Sequence, residues 1–255
     1  MKQYGFKPDI IQPEDYVLGG YSKLTPEVLQ GNGQWDSSLP VKELQQRGGV
    51  ETMACTVFTS LNALETLYKR KYEVDMNFSD KYTAIMAGIT QQGGTPKNAI
   101  ETIRKKSGLL LEEHMPFGNP QSWEDFYTPY PSGSTIAQGL NFLQHYTINY
   151  EWVFKNGVNI DKMKTALKSS PLGVSVCAWK ERDGIYYKDI GDTDNHWCLI
   201  YGYESGKYWK VFDTYDNTRK KLAWNYNFGL CMRYSITRRE PRKRYWFIEL
   251  LGNIF

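Results

Sequence analysis

The 255-residue sequence has only four cysteines and three histidines, and neither type clusters. There is no CxxC pair and no Cys/His group, which excludes a disulfide framework and the usual zinc sites. No window of 18 apolar residues occurs, and the first 16 residues lack the apolar stretch of a signal peptide, so we expect no transmembrane span and no secretion. A reducing, intracellular setting is therefore expected, in which a thiol stays free.

Charge is nearly balanced, with 31 lysine and arginine residues against 28 aspartate and glutamate residues, a formal net charge of +3. That excess is too small to indicate a nucleic-acid partner. One basic run, TRREPRKRYW at 237–246, carries no motif for stacking bases. We interpret it as a solvated loop before a last strand, although it could also steer an acidic partner. No cofactor and no membrane contact are expected.

The periodicity of the sequence changes near the middle of the chain. Residues 1–40 are interrupted by prolines at positions 8, 13, 26 and 40 and are predicted to form an extended strap. Helical periodicity is typical of residues from about 41 to 140, with an irregular connection predicted at 112–140, and strand patterns follow from about 141 to 255. The sequence therefore predicts an α+β fold, with a helical lobe and an antiparallel β lobe in one domain over 1–255.

Individual elements are marked by capping residues and apolar runs. Helix caps are predicted at Thr52, Ser79, Thr95 and either Asn159 or Asp161. Four runs are typical of strands, namely LGVSVCAW (172–179), HWCLIYGY (196–203), KYWKVFD (207–213) and RYWFIEL (244–250). Cys177 and Cys198 lie on two of these strands, and we interpret both as core thiols.

Cys55 stands at the front of the clearest helical pattern. Apolar residues recur at i, i+3, i+4 and i+7 from Ala54 to Tyr68, which predicts a helix buried on one face and ending near Lys71. Unpaired N–H groups and the positive end of the helix dipole favour a thiolate there, so Cys55 is a candidate nucleophile. The alternative is that Cys55 is one more small core residue, the usual role of a free cysteine.

Of the three histidines, His196 has the setting of a catalytic base. It opens one predicted strand, and the next ends at Asp213, 17 residues later (213 − 196). A turn over residues 204–207 between two antiparallel strands would bring the two side chains together. A histidine oriented by a carboxylate and facing a helix-start thiol is the arrangement of a Cys–His–Asp hydrolase. We interpret His114 and His145 as ordinary surface or core residues.

Taken in order, these motifs resemble those of the papain-like cysteine peptidases over residues 9–216. PVKELQ resembles the segment with the oxyanion-hole glutamine, ACTVFTSLNALE the nucleophile helix, and GGTPKNAIETIRKKSGL the Gly-Gly-x-Pro turn and its helix. PLGVSVCAW and NHWCLIYGY resemble the paired strands, and YWKVFDTY the strand with the third catalytic member. His196 follows Cys55 by 141 residues (196 − 55), within the roughly 130–150 typical of this family.

The resemblance implies a two-lobe papain-like fold and a role for each matching residue. Cys55 would be the nucleophile, His196 the base and later the acid, and Asp213 the group that holds the imidazole. A glutamine before Cys55 would donate to the oxyanion together with the Cys55 backbone N–H, an interaction that contributes about 3–4 kcal/mol at comparable sites. The implied substrate-binding residues are Gly93 and Gly94, which expose backbone groups to an extended peptide, Pro96, which lines a pocket, and Asn195.

The sequence departs from the family pattern at Thr56, where papain has tryptophan, at Asp213, where asparagine is usual, and at Tyr215, where a shielding tryptophan is frequent. Two glutamines are also candidates for the oxyanion donor. Gln45 precedes Cys55 by ten residues (55 − 45) and Gln46 by nine, because the insertion RGGVE lengthens the turn. We favour Gln45, since PVK leads into it.

The motifs favour a cysteine-dependent peptide-bond hydrolase that works through an acyl-enzyme, with a protein or peptide as substrate. One alternative is an inactive papain-fold protein, structural or peptide-binding, in a virus particle. Another is a cell-wall amidase or an acyl transferase, which Asp213 keeps open. Compact chains that open with a PD…DY segment and have no evident pro-segment resemble peptidases of bacteria and tailed phages, so we expect a cytoplasmic or virion-associated location.

Overall fold

The computed structural model describes residues 4–18, 27–154 and 157–240. Several predictions concern residues outside these ranges: the proline at position 26, the strand RYWFIEL at 244–250, and Arg242, Lys243 and Arg244 of the basic run. Arg238 and Arg239, at the start of that run, are described and exposed.

Capping and apolar periodicity set the helices of the first half. Helix α1 spans Cys55–Tyr72, α2 spans Asp80–Met86, and α3 spans Pro96–Thr102, which a π-helical turn, Ile103–Ser107, continues. The Ser79 and Thr95 hydroxyls accept hydrogen bonds from backbone N–H groups in the first turns of α2 and α3, at 3.0 and 3.1 Å. Both predicted caps are confirmed.

Thr52 does not cap α1, and that prediction is wrong. Its hydroxyl donates to the Gln45 carbonyl at 2.9 Å, and Ala54 holds the cap position without a side-chain hydrogen bond. Helix α1 is also buried on all sides over residues 55–68 and not on one face. Two of its buried hydroxyls bond carbonyls one turn earlier in the helix: Ser60 donates to the Thr56 carbonyl at 2.8 Å and Thr66 to the Asn62 carbonyl at 2.6 Å.

Two helices occupy the stretch at 112–140 for which the sequence predicts an irregular connection. Helix α4 spans Trp123–Phe126 and α5 spans Gly133–His145. Gly139 lies inside α5, where a Cβ atom would come within 2.4 Å of the Tyr82 hydroxyl. The prediction is wrong from Gly133 onward, because close packing against the π-helical turn and against Tyr82 of α2 supports a helix that the glycines and serines of this segment disfavour.

The second half forms an eight-stranded sheet within the described residues. A short hairpin of β1 (Gln46–Arg47) and β2 (Val50–Glu51) precedes the sheet. Helix α6 (Ile160–Leu167) follows the first strand of the sheet in the chain and precedes the second. The strands of the large sheet are β3 (Tyr146–Trp152), β4 (Leu172–Val176), β5 (Lys180–Arg182), β6 (Ile185–Tyr187), β7 (His196–Glu204), β8 (Tyr208–Phe212), β9 (Lys220–Ala223) and β10 (Cys231–Arg238).

The strand order is β3-β10-β4-β7-β8-β9-β6-β5, and neighbouring strands are antiparallel except for β6 and β9. The three predicted strands that fall in described residues are confirmed as β4, β7 and β8. Asn159 caps α6 by accepting from the Lys162 N–H at 2.9 Å. The predicted α+β class is therefore correct, with helices in the first half and a largely antiparallel sheet in the second.

Helix α1 joins the two halves, because it contacts β4, β7 and β10 as well as α2 and α3. The described parts of residues 4–40 contact both halves of the fold. Lys7 N–H donates to the Gly94 carbonyl at 2.9 Å in the first half, and Leu18 N–H donates to the Trp152 carbonyl at 2.8 Å in the second. None of the described helices combines the length and the apolarity that crossing a membrane requires.

Four carboxyl groups, of Glu43, Glu65, Asp80 and Glu112, interact within the helical half. Burial raises the pKa of Glu65 to about 8 and that of Glu112 to about 7, and the neighbouring carboxylates act in the same direction. The Asp80 pKa is also raised well above its usual range, mainly by burial. Glu65, Asp80 and Glu112 therefore keep their protons to a higher pH in the folded protein than in the unfolded chain.

We expect the Glu65 proton to make folding less favourable as the pH rises. The stabilisation from this proton is complete below about pH 4.5, the pKa of glutamate in the unfolded chain. It is lost as the pH rises through about 8, the pKa of Glu65 in the folded protein. Glu65→Gln keeps an acceptor for the Phe78 N–H but has no proton to lose. Its free energy of unfolding relative to the unsubstituted protein should therefore rise by about 3–4 kcal/mol between pH 5 and pH 8.5 in urea unfolding. The exposed Glu113→Gln is the control, and parallel pH curves for Glu65→Gln and the unsubstituted protein would contradict this.

Candidate active site

Cys55 is the first residue of α1 and lies where that helix meets β7. The backbone N–H groups of Trp197, on β7, and of Thr56 lie beside the sulfur and stabilise its charge. One turn further along α1, the Thr59 hydroxyl donates to the Trp197 carbonyl at 2.9 Å. Because Trp197 follows His196, this junction brings the thiol to the start of β7, where the imidazole also lies.

Burial raises the pKa of the Cys55 thiol well above its usual value, and the carboxylates of Glu51 and Asp213 raise it further. The two backbone N–H groups oppose this effect only in part. The N–H group of Thr56 at the helix start does favour the thiolate, as predicted, but desolvation outweighs it. A thiolate at this position needs a positive partner close by.

His196 and Asp213 meet at the ends of two adjacent strands. His196 opens β7, Asp213 follows β8, and the antiparallel pairing of Leu199 with Phe212 brings them together. Both side chains are fully buried, and Nε2 of His196 lies 2.7 Å from Oδ1 of Asp213. The other ring nitrogen, Nδ1, is buried without a hydrogen-bond partner among the described residues. The ring is thus oriented at one nitrogen and available at the other.

The second oxygen of Asp213 is held by a cation. Oδ2 lies 2.7 Å from Nζ of Lys220, the first residue of β9, and that ammonium group also bonds Asp216 at 2.6 Å. Although burial alone raises the pKa of the Asp213 carboxyl, His196 and Lys220 lower it to about 2. Asp213 is therefore ionised at any pH where the imidazole could act as a base.

Three aromatic rings surround the imidazole of His196. The centroids of Tyr4 and Trp179 lie 5.6 Å from it, and that of Tyr215 lies 6.3 Å away. Tyr215, at the position where a shielding tryptophan is frequent, is thus one of three rings that limit solvent access to the His196–Asp213 contact. In a site so enclosed, charges interact more strongly than they would in water.

The two candidate glutamines differ in their relation to the β1–β2 hairpin, because Gln45 precedes it and Gln46 is its first residue. The RGGVE insertion forms its turn, with Gly48 and Gly49 at positive φ values of 59° and 85°. Gln46 lies on β1 opposite Glu51. Gln45, just before the hairpin, is fully buried, and its backbone N–H donates to the Thr214 carbonyl at 2.9 Å. Only Gln45 thus lies next to the strand end that carries Asp213.

The side chain of Gln45 is held at both ends of its amide. Its carbonyl oxygen accepts from the Thr214 hydroxyl at 3.0 Å, and Nε2 donates to Oε1 of Glu51 at 2.8 Å. The same Nε2 donates to the Tyr4 carbonyl oxygen at 3.2 Å. A peptide carbonyl therefore already lies against the amide that would bind an oxyanion.

Gly93 and Gly94 expose backbone groups beside α3, and residues 4–7 of the same chain pair with them. Gly94 N–H donates to the Gly5 carbonyl and Lys7 N–H donates to the Gly94 carbonyl, each at 2.9 Å. A Cβ atom on Gly93 would lie 1.9 Å from the Gly5 oxygen, so only glycine allows this approach. Pro96 is buried at the start of α3.

Asn195 lies on the opposite side of residues 4–7. Its backbone carbonyl accepts from the Tyr4 N–H at 3.3 Å, whereas its side-chain oxygen accepts from the Ala178 N–H at 2.8 Å. The described residues before Cys55 contain no α-helix, yet residues 4–7 cover the cleft and form a parallel β-bridge between Phe6 and Gly94.

The remaining histidines and cysteines make none of the hydrogen bonds described above. His114 and His145 are exposed, and Cys177, Cys198 and Cys231 are buried free thiols, so the interpretation of Cys177 and Cys198 as core thiols is confirmed. In the described part of the chain, no three His, Cys, Asp or Glu side chains converge in a way that could hold a metal ion.

Sequence reasoning missed four residues of the site, namely Tyr4, Glu51, Trp179 and Lys220. For Lys220 a signal existed. In the strand KKLA, Lys220 and Leu222 are two residues apart and so lie on the same face, and that face is buried. The others could not be found by pattern, since Tyr4 and Glu51 reach the site only through the strap and the inserted hairpin.

The Papain family cysteine protease model matches residues 35–225. Cysteine proteinase 3 of Solanum lycopersicum is 25% identical to this chain over 225 residues, covering 82% of this chain and 56% of that protein. Pro-cathepsin H of Medicago truncatula is 28% identical over 105 residues, covering 40% of this chain and 29% of that protein. The chain thus spans 56% or less of the length of these two curated relatives.

The fold is also similar to that of solved structures. Xylellain, a cysteine protease from Xylella fastidiosa, superposes with a TM-score of 0.63 at 19% identity, covering 94% of this chain and 97% of that one. This likeness supports the α+β, two-lobe papain-like fold.

We expect Phe6→Ala to accelerate iodoacetamide labelling of Cys55. The Phe6 ring stacks on Trp197 at 5.8 Å and anchors residues 4–7 over the cleft. Removing a buried phenylalanine costs about 3 kcal/mol, so labelling that requires this segment to open should become about 10- to 100-fold faster. Peptide mass spectrometry measures the rate. Ile10→Ala is the matched control, since that side chain is 79% exposed. Equal rates for both folded variants would rule out a covering role for residues 4–7.

Proposed function

Because the chain belongs to the papain family of cysteine proteases, we propose that it hydrolyses peptide bonds through a covalent intermediate on Cys55. The observation that carries the proposal is the state of His196, whose Nε2 is held at 2.7 Å by Asp213 while Nδ1 is buried and unpartnered among the described residues. An ionised Asp213 keeps the ring proton on Nε2, so Nδ1 carries the lone pair. Nδ1 is then the atom that takes the proton from Cys55.

The reaction proceeds in two halves. His196 Nδ1 removes the thiol proton, the sulfur bonds to the peptide carbonyl carbon, and the carbonyl electrons move to its oxygen. When that oxygen re-forms the double bond, the carbon–nitrogen bond breaks and the imidazolium gives its proton to the leaving amine. Water, deprotonated by Nδ1, then attacks the thioester, which releases the carboxylic acid and restores the thiol.

The raised pKa of the Cys55 thiol requires that its charge form together with the charge on His196. A lone thiolate in this buried site lacks water to stabilise it, whereas a thiolate–imidazolium pair supplies the missing counter-charge. The ionised Asp213 in turn stabilises the imidazolium. The nucleophile is therefore made by proton transfer inside the site and not by release of a proton to solvent.

We infer that Gln45, and not Gln46, donates to the oxyanion together with the Cys55 backbone N–H. The support is the hydrogen bond from Gln45 Nε2 to the Tyr4 carbonyl oxygen at 3.2 Å, since a substrate carbonyl could take the place of that oxygen. Glu51 receives the other amide hydrogen at 2.8 Å and so holds the donor in position. The insertion that lengthens the turn before Cys55 thus also supplies Glu51, the residue that holds the Gln45 amide in place.

Proteins or peptides in an extended conformation are the proposed substrates. Residues 4–7 bind in the cleft through backbone groups of Gly94 and Asn195, which is the way an extended chain is recognised along an exposed backbone edge. Pro96 lines a pocket beside that edge. A substrate would displace residues 4–7 and use the same hydrogen bonds.

We expect Gln45→Ala to lower kcat for a fluorogenic peptide by about 100- to 1,000-fold, because one oxyanion donor is lost. Gln46→Ala is the matched control, and its kcat should change less than about threefold, since a half-buried strand residue away from the oxyanion has little effect. The opposite order of the two variants would assign the donor to Gln46.

Cys55→Ala and His196→Ala should each abolish turnover while the folded state, followed by circular dichroism, persists. Both residues act on the reacting atoms, and neither anchors an element of the fold. Undiminished hydrolysis of a casein digest by folded Cys55→Ala would falsify the proposed function. Turnover of cell-wall peptides or acyl transfer to an amine, with a casein digest left intact, would instead favour the other amide chemistries.

A further inference from the structure

Lys220 is a buried cation that the proposed reaction does not use. It opens β9, which pairs with β8 so that Lys220 lies opposite Val211, two residues before Asp213. Its side chain is 1% exposed, and Nζ lies 2.7 Å from Oδ2 of Asp213. Asp213 is thereby bridged, with Oδ1 on His196 and Oδ2 on Lys220.

Aromatic rings fix the ammonium group from the other side. Nζ of Lys220 lies 4.8 Å from the centroid of Trp179 and 5.8 Å from that of Tyr186. Trp179 also contacts the imidazole of His196 edge-on. The cation, the carboxylate and the imidazole therefore share one enclosed volume, in which a charge acts on its neighbours with little screening by water.

We propose that Lys220 is a positioning residue of the active site, which fixes the Asp213 carboxylate against His196 and offsets much of its negative charge at the imidazole. This inference rests on the proposed roles of Cys55 and His196. A buried carboxylate that faced the ring without a counter-charge would hold the imidazolium too strongly and would also oppose the thiolate. With Lys220 present, Asp213 orients the ring as an acceptor while the pair as a whole carries no net charge.

Other charged or titratable groups also act on this pair and stay unchanged in the experiment. They are Cys55 on α1, Cys198 on β7, Tyr186 on β6, Asp216 in the turn before β9, and Lys42 and Arg219 near the same strand ends. Asp216 bonds Lys220 at 2.6 Å but is itself partly exposed, so solvent screens its charge.

The direct test is the titration of the His196 ring by NMR, which is feasible because the chain has only three histidines. In Lys220→Met the midpoint should rise by about one pH unit, the size expected from losing a unit charge on the far side of the Asp213 carboxylate in a partly screened site. Lys220→Arg, which keeps the charge, should titrate like the unsubstituted protein. Lys221→Met is the matched control, since Lys221 is the next residue on β9 and is exposed.

The charge role separates from a merely structural role in a double substitution. Asp213→Asn keeps an oxygen acceptor for Nε2 but removes the negative charge, so with Lys220 in place the midpoint should fall. Adding Lys220→Met should bring the midpoint back toward that of the unsubstituted protein and should recover kcat/KM at least tenfold over Asp213→Asn, a non-additive result. The pH range of kcat/KM should move in the same directions.

Unchanged His196 titration in Lys220→Met would overturn the proposal. If that variant does not fold, equal midpoints for Asp213→Asn with and without Lys220→Met would overturn it as well, since this pair leaves no unbalanced carboxylate. The titrations do not depend on turnover. Absence of Cys55-dependent hydrolysis in the unsubstituted protein therefore counts against the proposed function, whereas unchanged titration alongside active enzyme counts against Lys220 alone.

Discussion

The buried carboxylate of Asp213 is the constraint on which the site depends. A fully buried charge must be matched by partners, and Asp213 has one on each oxygen, His196 and Lys220. These residues come from the ends of three neighbouring strands, β7, β8 and β9, so the antiparallel order of the sheet brings them together. Helix α1 then adds the thiol from the other half of the chain. The sheet therefore positions the charged groups, and the helix positions the sulfur.

The cleft beside this charge is built largely from backbone and amide groups. Gly94 offers both its N–H and its carbonyl, Asn195 offers a carbonyl, and Gln45 offers an amide. Residues 4–7 satisfy all of these groups with their own backbone. Because such groups recognise a peptide chain whatever its side chains are, the proposed function leaves discrimination between substrates to the residues around Pro96 and to the displacement of residues 4–7. The inserted hairpin supplies Glu51, which accepts a hydrogen bond from the Gln45 amide in addition to the one accepted by the Tyr4 carbonyl.

Much of the fold follows from local signals in the sequence. Ser79, Thr95 and Asn159 cap helices as predicted, because the short polar side chain at each position satisfies an N–H group of the first turn. Local signals fail where tertiary contacts decide. Thr52 bonds Gln45 and does not cap α1, and α5 forms around Gly139 because the Tyr82 hydroxyl packs there. For the site, the His196–Asp213 separation indicated their meeting, whereas the depth of Cys55 and the partners of Asp213 depend on packing that periodicity does not encode.

The central claim is that the Cys55 sulfur becomes bonded to substrate with His196 as its proton acceptor. Intact-protein mass spectrometry of an acid-quenched reaction with a peptide ester tests it most directly, because a thioester adds the mass of the acyl group and survives acid. The account predicts an acyl adduct on Cys55 that builds up before steady state and is absent in His196→Ala. Steady hydrolysis without an adduct, or with an adduct on another residue, would contradict it.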